Sequence, residues 1–149
     1  MLQPDRQPHH VGRHAGGLAG TAHPPVIGYL VDEISTSPHP VVSMDGARDA
    51  AWQQGCVLHI AVTRNNADQE AAALAAMGRL PGLAGLIYST IFTRQVQLPP
   101  SLRTPQLAVP LVLLNCHDAA QGVPAVVPAE VAGGHAATEQ LIQQGHRRI

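Results

Sequence analysis

The chain has 149 residues, of which 45% are hydrophobic, 13% charged and 3% aromatic, with a formal net charge of −1 at pH 7. One domain of this size buries roughly 68–70% of its unfolded surface, so a core without disulfide staples is expected and a second full domain is not. Nine basic residues, all arginine, face ten acids, a balance that excludes the basic footprint of a nucleic-acid or anionic-membrane binder, while the aromatics are too few for a base-stacking platform.

Residues 1–25 hold Pro4, Pro8, Pro24 and Pro25, four glycines, and His9, His10, His14 and His23. Proline removes backbone donors and glycine raises the entropy lost on ordering, so no stable element is expected there. The histidines follow no ligand spacing, and no metal site is assigned. The start has no apolar h-region of a secretory signal, and no run reaches the roughly 18–20 residues of a membrane span. Cys56 and Cys116 form no CxxC pattern and read as small, buried, reduced thiols of a cytoplasmic protein.

From residue 26 the pattern alternates. VIGYLV (26–31) reads as a buried strand, and the polar stretch 32–40 as a turn. Residues 41–55 read as a helix with Val41, Met44, Ala47, Ala51 and Trp52 on one face, stopped by Gly55. A strand at 56–63, a helix at 68–80 and a strand at 83–90 follow. Residues 91–107 read as irregular because Pro99, Pro100 and Pro105 interrupt them. Strands at 109–116 and 124–129 precede a helix at 130–145, with Val131, Ala137, Leu141 and Ile142 inward and Gly145 as its stop. Strand–helix alternation of this kind predicts an α/β fold, a parallel sheet with helices on both faces. Ligands of such sheets bind beyond the carboxyl ends of the strands.

No GxSxG, GxxxxGK[ST], HExxH or GxGxxG motif occurs where it would act. Asp32, Ser35 and His39 hold the letters of a triad, but triads gather residues from separate elements, and no catalytic residue is assigned. Adjacent Asp32 and Glu33 point opposite ways in an extended segment, so Asp32 is expected to face a cleft and Glu33 solvent or a turn. His59 reads as a packed or edge histidine, Trp52 as core or interface, and His117 and Asp118 as a loop after the fourth strand. Cys116 beside His117 is not read as a thiolate pair, because sequence neighbours rarely hold thiol and imidazole in bonding geometry.

The segments IGYLVDEIS, GARDAAWQQGCVLHIAVT, LAGLIYST, VPLVLLN and ATEQLIQQGHRRI, in this order and spacing, resemble the regulatory core of the lactose-repressor (LacI/GalR) family over roughly residues 18–149. The last motif is the most specific. The resemblance implies one lobe of a periplasmic-binding-protein-like core, with residues 1–25 a disordered or degenerate hinge and 26–149 the N-terminal lobe. The helix-turn-helix and second lobe that the family joins to it have no counterpart in this sequence. It also implies a sugar or nucleoside effector contacted by Asp32, Ser35, His39, Pro40, Thr63, Arg64 and Ser89. The helix at 41–54 resembles the one packed across the family's homodimer, making Met44, Asp45, Arg48 and Asp49 interface candidates.

Two departures stand out. The family's Ala-Arg-x-Leu hinge appears as Ala15-Gly16-Gly17-Leu18, and an Asp-Asn pair before the last helix appears as Pro128-Ala129. The expectation is a transcriptional regulator's effector-sensing and dimerisation core, with operator DNA reached only through a helix-turn-helix outside this chain, and without a cofactor, membrane contact or enzymatic activity. Such a lobe alone is expected to show weak or undetectable sugar binding by calorimetry and to self-associate through its uncovered face. A periplasmic-type sugar-binding module is the alternative. A small hydrolase or phosphotransferase is disfavoured by the missing nucleophile and phosphate motifs.

Overall fold

A computed structural model describes residues 23–34, 38–102, 109–120 and 122–149. Five strands form one parallel sheet in the order β2-β1-β3-β4-β5, comprising β1 (Val26–Val31), β2 (Val57–Val62), β3 (Leu83–Val96), β4 (Leu111–Asp118) and β5 (Ala125–Val126). Three helices connect or follow them: α1 (His39–Gln53), α2 (Ala67–Met77) and α3 (Glu130–Gln143). Central β1 is buried from Gly28 to Val31, because it pairs on both edges and is packed on both faces, which suits its apolar run. Edge strand β2 pairs only with β1, and His59 and Ile60 on it are exposed.

The helices begin and end where their local chemistry directs. Pro40 fits the first turn of α1, where its missing N–H takes nothing from the helix, so α1 starts two residues earlier than the spacing predicts. Asn66 caps α2, its Oδ1 accepting from the Gln69 N–H at 2.9 Å, with Asp68 and Glu70 in the first turn at the positive end of the helix dipole. Gly55 and Gly145 adopt φ of +71° and +88° just past α1 and α3, as expected of helix stops.

The two faces are filled by different elements. On one, Leu30, Leu86, Tyr88 and Leu113 pack with Leu74 and Met77 of α2 and with Leu98 and Leu102. On the other, Tyr29 and Val31 pack with Met44 of α1. The α/β sheet with helices on both faces is therefore present.

Several expectations need correction. The stretch expected to be irregular from residue 91 continues β3 through Val96, and the prolines act only beyond it, where Pro100–Leu102 forms a 3₁₀ turn. His117 and Asp118 belong to β4 rather than to a loop, and Asp118 is buried. The side chains expected inward on α3 are exposed, as is every residue from 124 to 149: Val131 is 90% and Ile142 59% accessible. Within α1, Trp52 is 79% exposed rather than on the core face, which consists of Pro40, Met44 and Ala51. The hinge and its histidines lie outside the described residues, except His23 to Pro25.

Candidate functional site

The carboxyl ends of β1, β2 and β3 meet around Asp32, the residue after β1. Asp32 is 7% exposed, and both carboxylate oxygens are occupied. Oδ1 accepts the Ile91 N–H at 2.8 Å, and Oδ2 accepts from Arg94 Nη2 at 3.0 Å. A carboxylate removed from water at this depth requires such partners. Arg94 Nη2 also reaches Asn65 Oδ1 at 3.4 Å, and the Arg94 side chain remains 49% exposed, leaving further guanidinium donors toward solvent.

The register of the sheet places Arg94 there. Ser89 pairs with Leu114 and Arg94 with Cys116, so five steps along β3 match two along β4. The extra residues form a bulge opposite Asn115, which takes φ +57°, and a bulge of this kind re-aims side chains. The Thr90 hydroxyl lies 2.9 Å from the carbonyls of both Phe92 and Asn115 and ties the bulge to β4. Phe92 projects at its tip, 70% exposed. Asp32, Glu33, Asn65, Ile91, Phe92 and Arg94 line a cleft of about 280 Å³.

The residues implicated by the sequence occupy several levels of this end of the sheet. Thr63 and Ser89 lie beneath the cleft, 2% and 3% exposed. The Thr63 hydroxyl is directed to the Val31 carbonyl at 3.5 Å, and Ser89 Oγ accepts from the Tyr29 hydroxyl at 3.2 Å. Burial pushes the Tyr29 phenol up from its ordinary value, so it remains the donor. His39 is exposed at the first turn of α1 with Nε2 3.4 Å from Asn115 Nδ2, while Pro40 is buried. Arg64 is exposed in the turn after β2, at φ +52°. Ser35 lies outside the described residues. Glu33 accepts the Ile34 N–H at 2.8 Å and so caps the turn.

Of the proposed interface residues, Asp45, Arg48 and Asp49 are exposed on α1 and joined by ion pairs of 2.9 and 3.1 Å, whereas Met44 is buried beside Tyr29 and Val31 and belongs to the core. Burial also pushes the Cys116 thiol up, against thiolate chemistry. Among the described residues, no three His, Cys, Asp or Glu side chains gather to hold a metal, and no helix is long and apolar enough to cross a membrane.

Asn65 falls in the stretch Thr63 to Asn66 after the second strand, where ligand contacts are expected, whereas Arg94 and Phe92 were not singled out by sequence reasoning. Arg94 and Phe92 fall in the stretch read as irregular; the one available signal was a lone Arg and the chain's single Phe just past an apolar strand.

Sequence and structure comparisons agree with this architecture. The profile of the family described as "Periplasmic binding proteins and sugar binding domain of LacI family" matches residues 25–149. The arabinose metabolism transcriptional repressor of Geobacillus stearothermophilus is 32% identical over 127 residues, covering 83% of this chain and 34% of the repressor, so the chain spans about a third of that relative's length. Transcription regulator CcpA of Lactococcus lactis superposes with a TM-score of 0.66 at 20% identity, over 85% of this chain and 45% of that one. A LacI-type transcription regulator from Bifidobacterium animalis subsp. lactis gives 0.63 at 20% identity, over 82% and 41%. At that identity the two structures speak for the fold.

Proposed function

This chain belongs to the family of periplasmic binding proteins and LacI sugar-binding domains, and from that premise we propose that it is the N-terminal effector-sensing lobe of a LacI-type transcriptional regulator. The observation that carries the reading is the Asp32–Arg94 pair at the carboxyl ends of the strands, where a parallel sheet binds its ligands. Each Asp32 oxygen already holds one partner, Ile91 or Arg94, and the residue is 7% exposed, so Asp32 acts mainly as a positioning residue. It holds a guanidinium whose remaining donors face the cleft beside Asn65 and the exposed ring of Phe92.

Such a surface suits a small polyhydroxylated ligand. The guanidinium donates to hydroxyl oxygens, the Asn65 amide both donates and accepts, and the aromatic face packs against ring C–H groups. A sugar is favoured over a nucleoside because the relative that is 32% identical is a repressor of arabinose metabolism. On this reading His39 and Arg64, both exposed, add contacts from the rim, and buried Thr63 and Ser89 act as supports rather than as direct contacts. Asp45, Arg48 and Asp49 offer the homodimer surface. Operator DNA is engaged through a helix-turn-helix of the whole protein, which is cytoplasmic and carries no enzymatic activity. The transport alternative shares the fold, but the named relatives are regulators.

Titration of the ¹⁵N-labelled chain with pentoses, hexoses and nucleosides tests this. Expected are shifts clustered at Asn65, Ile91, Phe92 and Arg94 with dissociation constants on the order of millimolar for one lobe, lost in Arg94→Ala. Shifts scattered elsewhere, or none at about 10 mM of any ligand, would overturn it.

A further inference from the structure

The cleft beside Asp32 and Arg94 is rich in hydrogen-bond donors but has little positive charge to spare. Arg94 Nη2 carries two hydrogens, and both are engaged, one on Asp32 Oδ2 at 3.0 Å and one on Asn65 Oδ1 at 3.4 Å. A guanidinium grips an anion with two parallel bonds through its Nη1–Nη2 edge or its Nε–Nη2 edge. Nη2 belongs to both edges, so holding that one nitrogen closes both grips and leaves Nε and Nη1 as single donors. The charge of Arg94 is answered as well, because the Asp32 carboxylate facing it is buried and water screens the pair poorly.

The rest of the lining has the same character. Arginine only donates, so Asn65 turns its oxygen to Arg94 and keeps its NH2 for other partners. The turn that carries it is fixed in place: Arg64 and Asn65 take φ of +52° and +54°, and the Asn65 N–H donates to the Asp32 carbonyl at 3.2 Å. Glu33 brings a second carboxylate, so two acids stand against one guanidinium in the lining. On neighbouring elements exposed Arg64 adds one cation, and Glu130, which accepts from the Thr93 hydroxyl, adds one carboxylate. An anion entering this cleft would give up hydration for single donors, in a field with no positive surplus.

We propose, on the reading that this cleft is the ligand site, that it takes uncharged polyhydroxylated ligands and rejects their phosphorylated or carboxylated counterparts, with Asp32 as the specificity-determining residue. A hydroxyl oxygen is satisfied by one donor and offers its own hydrogen to a nearby carboxylate, whereas an ionised phosphate or carboxylate brings further charge that nothing in the lining neutralises. Asp32 thus does two things at once: it aims the guanidinium at the cleft and withholds its charge and its bidentate edges from an anion.

Matched titrations of the ¹⁵N-labelled chain at about 20 mM ionic strength, where charge is weakly screened, test this. Arabinose and galactose should shift Asn65, Ile91 and the Arg94 Nε–H, while arabinose 5-phosphate and galactose 6-phosphate should bind about tenfold more weakly or not at all. Inorganic phosphate alone should leave these signals of the wild type in place up to about 10 mM. In Asp32→Asn, which preserves the shape of the side chain, the amide keeps an oxygen for Ile91 and turns a donor toward Arg94. Phosphate and the sugar phosphates should then bind with dissociation constants on the order of millimolar and shift the Arg94 Nε–H. Tighter binding of a sugar phosphate than of its parent sugar by the wild type, or phosphate binding at wild-type Arg94, would overturn the proposal without recourse to any variant. So would a folded Asp32→Asn that gains no affinity for phosphate. Gain of phosphate binding by Asp32→Asn in a chain that binds no sugar would overturn the sugar reading while supporting Asp32 as the residue that cancels Arg94.

Discussion

Among the described residues, ten buried side chains on the α2 side of the sheet, from Leu30 to Cys116, form one cluster, whereas on the α1 side three do, Tyr29, Val31 and Met44. The same strands supply both faces, and their residues alternate between them with similar apolar content. The difference lies in what covers them. Among the described residues, helix α2 and the segment from Leu98 to Leu102 cover β1, β3 and β4 on the first side, while α1 and Ile34 cover the second. An apolar strand therefore permits burial on both faces, and the covering elements decide how much is achieved.

The largest test of this asymmetry compares Leu113→Ala with Met44→Ala. Leu113 is fully enclosed on the α2 side, and its truncation should cost about 3–4 kcal/mol in urea unfolding; Met44, at the edge of a thin layer that can relax, should cost about 2 kcal/mol. Equal losses would show the two faces to be equally tight.

Two glycines make a finer comparison. A Cβ on Gly28 would stand 2.8 Å from Leu86 Cδ1 and 3.2 Å from Met77 Sδ, whereas on Gly85 it would meet only Ile27 Cδ1 at 3.6 Å and the Pro110 carbonyl at 3.7 Å. Since Leu86 and Met77 must shift, Gly28→Ala should destabilise by about 1 kcal/mol in the same urea measurement. Gly85→Ala should be neutral or stabilising by a few tenths of a kcal/mol.

The α2 side also contributes an alkaline signature. Burial, with Glu70 beside it at 3.2 Å, pushes the Tyr88 hydroxyl well above its ordinary value. Because the folded state resists ionisation that the unfolded state accepts, this contribution is intact below about pH 10 and is lost as pH rises beyond it. Unfolding midpoints of wild type should fall above that pH more steeply than those of Tyr88→Phe. A comparably small effect belongs to Trp52→Ala, which at 79% exposure on the outer side of α1 should change stability by no more than about 0.5 kcal/mol.

Much of the fold is legible in the sequence because its signals are local. The runs at 26–31 and 56–63 mark β1 and β2 to within a residue, and Gly55, Gly145 and the Ala-rich period mark the helices. The stretch after Ser89 is misread for a physical reason. Three nearby prolines argue against regular structure, but Val96 still pairs with Asp118, because a bulge absorbs the mismatch before the first proline is reached. The cleft is half legible: position after a strand identifies Asp32, but nothing near Asp32 announces a partner 62 residues away. The same limit applies to Thr63 and Ser89, which follow their strands as expected yet point beneath the surface. For α3, an apolar stripe in the sequence states that the helix needs a partner, not that its own sheet provides one.

By itself, the sequence determined the order of strands and helices, the parallel class of the sheet and the family, since periodicity, caps and ordered motifs act over a few residues at a time. Only the tertiary structure decided that Arg94 completes Asp32, that Met44 turns inward while Trp52 turns out, and that α3 stands uncovered. Those outcomes depend on register across β3 and β4 and on which element reaches which face, and both are set by contacts between residues far apart in the chain.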